Sequence, residues 1–181
     1  VTSTPTSTPT STPGQTAGPF FHYALPYDGD HLLVPPGSPG ATWLHGTVRD
    51  GEGTPVPDAL VEVWQSDAAG EVPRLAGSLR RDGRSFTGFG RCATDAEGRY
   101  GFSTLVPGTP FFAVAVFARG LLHRLATRAY LPGSSDALLD ALPAERRATL
   151  MTTEDAHGLR FDVHLQGPHE TVFLTYPGEA G

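Results

Sequence analysis

Cysteine is almost absent from this chain: among 181 residues only Cys92 carries a thiol. An internal disulfide is therefore excluded, and a reducing compartment is the expectation. Long apolar runs are missing too, so nothing in the sequence has the roughly 18 residues that a membrane span needs. The N-terminal end shows neither the basic stretch nor the hydrophobic stretch of a secretory leader, which predicts a soluble, cytoplasmic protein. Cations are scarce and scattered. Thirteen Lys and Arg face 19 Asp and Glu, a net charge of −6, and no cluster of the kind that tracks phosphates is present. The usual catalytic signatures are also lacking: no G-x-S-x-G elbow, no Walker loop, no H-E-x-x-H and no C-x-x-C. The histidines (His22, His31, His45, His123, His157, His164 and His169) never fall two apart, the spacing that puts two imidazoles on one strand face.

What the chain does have is turns. Its 17 prolines and 22 glycines favour short strands over helices, and its length fits one domain with a full core. Residues 1–13 (VTSTPTSTPTSTP) offer nothing to bury beyond Val1 and are expected to be disordered. Residues 14–41 form an arm and loop, in which Phe20, Phe21, Tyr23 and Leu25 predict docking on another surface. Residues 42–181 form the folded domain. Alternation and turn residues predict strands over 42–49, 59–65, 90–94, 100–105, 111–118, 123–130, 159–166 and 171–176. Asp50-Gly51-Glu52-Gly53 and Asp95-Ala96-Glu97-Gly98 supply turns between them. The near-continuous apolar run FFAVAVFA (111–118) predicts a central strand buried on both faces. Over 59–65, Leu60, Glu62 and Trp64 share one face while Ala59, Val61 and Val63 share the other. Residues 134–151 read as helical, capped by Ser135 and split by Pro143 into two short helices. The fold class is all-β: a β-sandwich with a small helical insertion.

The residues with chemical potential read modestly. Cys92 sits in a strand beside Arg91 and fits a small core role better than that of a reactive thiol. Glu154-Asp155 is expected in a solvated loop, since adjacent carboxylates do not converge on one substrate. Asp58 and Glu62 fit turn and network roles rather than an acid/base pair. His164 is expected on the solvent side of its strand, and His22, in the apolar arm, as an ordinary hydrogen-bonded histidine.

Two linked stretches say more than any single residue: GTVRDGEGTPVPDALVEVWQSDAAGE (46–71) and FGRCATDAEGRYGFSTLVPG (89–108). With TPGQTAGPFFHY (12–23), VFARGLLHRLATRAY (116–130), PAERRATL (143–150) and RFDVHLQGPHETVFL (160–174), they resemble the intradiol ring-cleaving dioxygenases, in order and over nearly all of the chain from residue 12. The resemblance implies a β-sandwich core and chemistry at a non-haem ferric ion held by two tyrosinates and two histidines. Such hard donors suit Fe(III), which a catechol chelates before O2 opens the ring between its hydroxyl-bearing carbons.

Placed on this sequence, however, the four ligand positions of that pattern fall on Val72, Pro110, Phe111 and Ala113, and none of these side chains binds iron. The loop from Gly108 to Phe111 is also shorter than the pattern. The resemblance therefore points to the non-iron-binding α subunit of the heteromeric members that act on protocatechuate. It implies a homologous iron-bearing β subunit as partner, Fe(III) on that partner, protocatechuate and O2 as substrates, and neither nucleic acid nor membrane. The T-A-G-P motif carries substrate-side roles over to Thr16, Ala17, Gly18 and Pro19, and F-A-R-G carries one to Arg119. Arg119 would offset the substrate carboxylate, and Gly18 would allow close backbone approach. Two other readings stand beside this one. The first is a self-sufficient dioxygenase with displaced ligands drawn from Tyr100, Tyr130, His22 and His123. The second is a β-sandwich scaffold or binding module that has kept only the fold.

Overall fold

The computed structural model describes residues 24–74 and 81–175. The tail over 1–13, together with Thr16, Ala17, Gly18, Pro19 and His22, lies outside the described residues. Among the described residues nine strands and two short helices follow in order: β1 (Ala41–Arg49), β2 (Leu60–Trp64), β3 (Phe89–Ala93), β4 (Arg99–Leu105), β5 (Phe111–Phe117), β6 (Leu125–Tyr130), α1 (Ala137–Asp140), α2 (Ala144–Ala148), β7 (Thr153–Asp155), β8 (Gly158–Arg160) and β9 (Val163–His164). They make two sheets. One runs β4-β1-β8-β7, with β9 also pairing with β1; the other runs β3-β2-β5-β6.

The two sheets face each other across one apolar layer. Leu44 and Val48 of β1, Phe102 of β4, Val61 and Val63 of β2, and Phe112, Val114 and Val116 of β5 all point into it and are buried. Burial of each such side chain contributes about 1.5–3 kcal/mol, so the period-2 pattern decides which face of each strand turns inward. Gly46 is required where β1 meets the segment after β8. A Cβ there would sit 1.9 Å from the Phe161 carbonyl oxygen. That oxygen also accepts the Tyr100 hydroxyl at 2.5 Å.

The turns form as their composition predicts. Asp50 Oδ1 accepts the amides of Glu52 and Thr54, and Asp95 Oδ1 accepts those of Glu97 and Arg99. Gly53 and Gly98 take the positive φ that closes each turn. Pro143 does split the helical stretch, but the cap differs from expectation. Asp136 rather than Ser135 accepts the Leu139 amide, at 2.9 Å, while the Ser135 hydroxyl bonds Asp140. A carboxylate on the orphan amides gains from the helix dipole as well as from the hydrogen bond.

Four strand expectations change. β5 is central in its sheet, yet only its Phe112, Val114 and Val116 face is fully buried; Phe111, Ala113, Ala115 and Phe117 are half-covered. The stretch 159–166 is interrupted because the Asp162 carboxylate, rather than a backbone carbonyl, takes the Thr47 amide at 2.9 Å. Over 171–175 there is a single bridge, Leu174 to Ala126, because the Thr127 hydroxyl donates to the Val172 carbonyl where a ladder bond would otherwise run. Glu154 and Asp155 lie on the exposed edge strand β7 rather than in a loop. A second, smaller core of Tyr130, Leu139 and Leu150 anchors the helical insertion beneath β6. No helix among the described residues is long and apolar enough to cross a membrane.

Candidate functional site

The outer face of the second sheet carries the features that bear on function. Its register sets the rows: Glu62 lies between Arg91 and Ala115, Trp64 between Phe89 and Ala113, and Phe111 opposite Tyr130. Glu62 is not solvated; its Oε1 accepts the Nε and Nη2 of Arg91 at 2.9 and 2.5 Å. Arg91 also donates to the Leu25 carbonyl, which brings the end of the arm to this face. Beside this pair Trp64 is half exposed, at 49%. It borders a shallow depression of about 340 Å³ whose floor is built from Ala113, Ala115 and Ala126.

Val72, Pro110, Phe111 and Ala113, the positions that the resemblance assigns to iron ligands, belong to the loop after β2, the loop before β5 and β5 itself, and these segments meet at one corner of the sheet. The loop after β2 and the loop before β5 are clamped together: Gly108 N donates to the Asp67 carbonyl at 2.7 Å, and the Ser66 and Thr109 hydroxyls meet at 3.0 Å. Gly108 is obligatory in that contact, because a Cβ would stand 2.4 Å from the Gly70 nitrogen. Val72 follows in the first loop, exposed. Pro110 ends the second, and Phe111 and Ala113 lead up β5.

Other chemistry fills the corner. The Arg128 guanidinium lies 4.1 Å from the centre of the Phe111 ring, and that ring packs on Tyr130 at 5.3 Å. Arg128 donates to Tyr130 Oη and to Asp136 Oδ2, and the Tyr130 hydroxyl donates to the same carboxylate oxygen at 2.8 Å. Burial pushes the Tyr130 phenol above its usual range; the Asp136 acceptor adds to this and Arg128 opposes it. A phenol held protonated and already donating is not a phenolate ligand. This linked set was not anticipated from the sequence. Its available signal is Arg128 and Tyr130 two apart on one strand face, followed by an Asp at a helix start.

Among the described residues the displaced-ligand alternative finds no cluster, and His22 lies outside them. Tyr100 is buried in the other sheet with its hydroxyl committed to Phe161, and burial raises its pKa well above the ordinary value. Tyr130 is committed as described, and His123 is exposed in the loop between β5 and β6. His45 and His157 meet on the first sheet, where His45 bonds Asp155 at 3.1 Å, and His164 pairs edge-on with His169. Among the described residues no group of three or more His, Cys, Asp or Glu side chains can hold a metal ion. The described residues do not fit a ferric centre. Cys92 packs against the main core, and burial pushes its thiol up to about 11, which removes it as a nucleophile at neutral pH.

Arg119 closes the opposite end of the face, just past β5. It is 66% exposed, yet its Nε and Nη2 both donate to Oδ2 of Asp58, a carboxylate only 14% exposed.

A family model described as Dioxygenase matches residues 16–134. The chain belongs to the dioxygenase family, in its intradiol ring-cleaving class, whose members are non-haem iron oxidoreductases. Within that class it is a homologue of the alpha chain of protocatechuate 3,4-dioxygenase: it is 39% identical to the chain of that name from Burkholderia cepacia, over 87% of this chain and 93% of the relative. It is also 36% identical to the beta chain from the same organism, over 70% of this chain and 64% of that one. Among solved structures, the dioxygenase domain of a dioxygenase carbohydrate-binding protein fusion from Streptomyces sp. SirexAA-E superposes with a TM-score of 0.57 at 27% identity, covering 86% of this chain and 97% of that domain.

Proposed function

We propose that this chain is the α subunit of a cytoplasmic heteromer in which a homologous β subunit holds the ferric ion. The complex cleaves protocatechuate with O2 to 3-carboxy-cis,cis-muconate, both oxygen atoms ending in the product. One observation supports this reading: Phe111, at a position that the resemblance assigns to a donor along with Val72, Pro110 and Ala113, packs on Arg128 and Tyr130, which bond to Asp136 and to each other. An isolated scaffold would have little reason to keep so complete a match to an enzyme subunit. A self-sufficient enzyme would need donors that this face lacks.

In this reading the chain's contribution is to wall the partner's site. Thr16, Ala17, Gly18 and Pro19 take the substrate-side roles that the resemblance gives them, and Leu25, further along the same arm, is bonded to Arg91 on the sheet face. Arg119 offsets the substrate's carboxylate. A guanidinium suits that task because it stays charged and meets a carboxylate with parallel N–H donors.

The test is iron content and protocatechuate cleavage, measured for the chain alone and co-expressed with an iron-ligand-bearing homologue. Iron and activity only in the co-purified complex are the expected result. Iron retained by the isolated chain would overturn the reading.

A further inference from the structure

We propose that Asp58 is a positioning residue for substrate recognition, presetting Arg119 so that its free edge receives a carboxylate. The proposal rests on the reading of Arg119 above. It arises from the strand register. β2 and β5 run antiparallel with Leu60 opposite Phe117, and two residues further along each chain the same spacing sets Asp58 against Arg119.

The two partners are unequally held. The Asp58 segment is fixed on both sides: Ala59 N donates to Thr94 Oγ1 at 3.0 Å, Thr94 Oγ1 donates to the Val56 carbonyl at 2.7 Å, and Thr94 N donates to the Ala59 carbonyl at 2.9 Å. Its carboxylate is nearly buried, whereas Arg119 stands in solvent at a strand end, followed by Gly120 at positive φ. A rigid acid therefore anchors a mobile base, and the guanidinium plane takes the orientation that Asp58 dictates.

The edge that remains is the useful one. A guanidinium offers two bidentate edges, Nε with Nη2 along its side and Nη1 with Nη2 at its end. Asp58 engages the side edge through one oxygen. Among the described residues no hydrogen bond is made by Nη1, so the end edge of this exposed side chain keeps an N–H on each nitrogen for a second acceptor. A planar aromatic carboxylate meets such an edge with two parallel bonds. Without Asp58 the side chain samples its rotamers, and the carboxylate must order it on binding.

The experiment uses the complex with the iron-bearing homologue and the variants Asp58→Asn, Asp58→Glu and Arg119→Ala. Protocatechuate is compared with catechol, which lacks the carboxylate. Asp58→Asn should raise KM for protocatechuate roughly fivefold with kcat nearly unchanged, and leave KM for catechol where it was. Asp58→Glu should restore most of the lost affinity. In an Arg119→Ala background, Asp58→Asn should add nothing, since both act through one guanidinium. If Arg119→Ala selectively weakens protocatechuate while Asp58→Asn has no effect or adds independently, the positioning role of Asp58 is wrong and the Arg119 reading stands. If Arg119→Ala affects both substrates equally, that reading falls and the proposal falls with it. A melting curve of each complex separates these outcomes from misfolding, because an unfolded Asp58→Asn subunit lowers kcat for both substrates and leaves Asp58→Glu to decide.

Discussion

At the scale of single residues, the side chains with ordinary catalytic potential are the ones most firmly committed to structure. Cys92 shows this. Burial holds its thiol at about 11, while in the unfolded chain it ionises near the ordinary value of roughly 8.5. The unfolded state therefore binds fewer protons once the pH passes the lower value, and stability declines from there until the folded thiol also ionises. Urea denaturation followed from neutral pH to about 11 should show that decline, and Cys92→Ser should flatten part of it. Equal slopes for the two proteins would mean that the thiol is not the titrating group. Phe111 makes the opposite point, since its ring serves packing alone. Phe111→Ala removes the ring that packs on both Arg128 and Tyr130, and should cost about 1–3 kcal/mol in a thermal or denaturant melt, less than a fully buried ring because Phe111 is half-covered.

Among the elements, the helical insertion and the arm matter most. α1 is only a single turn, Ala137–Asp140, too short to persist without help. Its help is Asp136, which caps the helix through Leu139 while accepting from Tyr130 and Arg128. Asp136→Ala should thus cost more than the ~1 kcal/mol of a lost cap, because the buried Tyr130 hydroxyl is left without its acceptor. Asp136→Asn should recover part of the difference, as read from melting temperatures. For the arm, removal of residues 1–13 should leave activity of the complex intact, whereas deletion of 14–21 should impair assembly or substrate affinity. Indistinguishable truncations would remove the arm from the mechanism.

Taken as a whole molecule, the sandwich has two outer faces of different character. The first sheet presents an exposed, acidic edge strand in β7, the kind of edge that resists strand addition. The second presents Trp64, three alanines and the two ion pairs Glu62–Arg91 and Asp58–Arg119, with Phe111 packed on Arg128 and Tyr130 at its far end. If iron belongs to the partner alone, metal analysis of the purified complex should return about one iron per pair of homologous chains, and none should be lost on Phe111→Ala. Two per pair would place a second ferric site in this chain.

Much of this architecture is legible without coordinates. Alternation places Val61 and Val63 inward and Glu62 and Trp64 outward, because a half-buried strand can satisfy only one such register. Asp-x-x-Gly sequences mark their turns, because an Asx acceptor and a positive φ leave few other conformations. The resemblance assigns the iron-donor positions to Val72, Pro110, Phe111 and Ala113, and residue type alone says that no fold turns these side chains into ligands. What required the tertiary structure is every pairing made across long separations. Asp162 interrupts a strand by capturing the Thr47 amide 115 residues away. Arg128, Tyr130 and Asp136 close on Phe111, and Asp58 finds Arg119. Periodicity reports which way a side chain points relative to its own strand; which partner it meets depends on the register between strands, and that is set only when the sheets assemble.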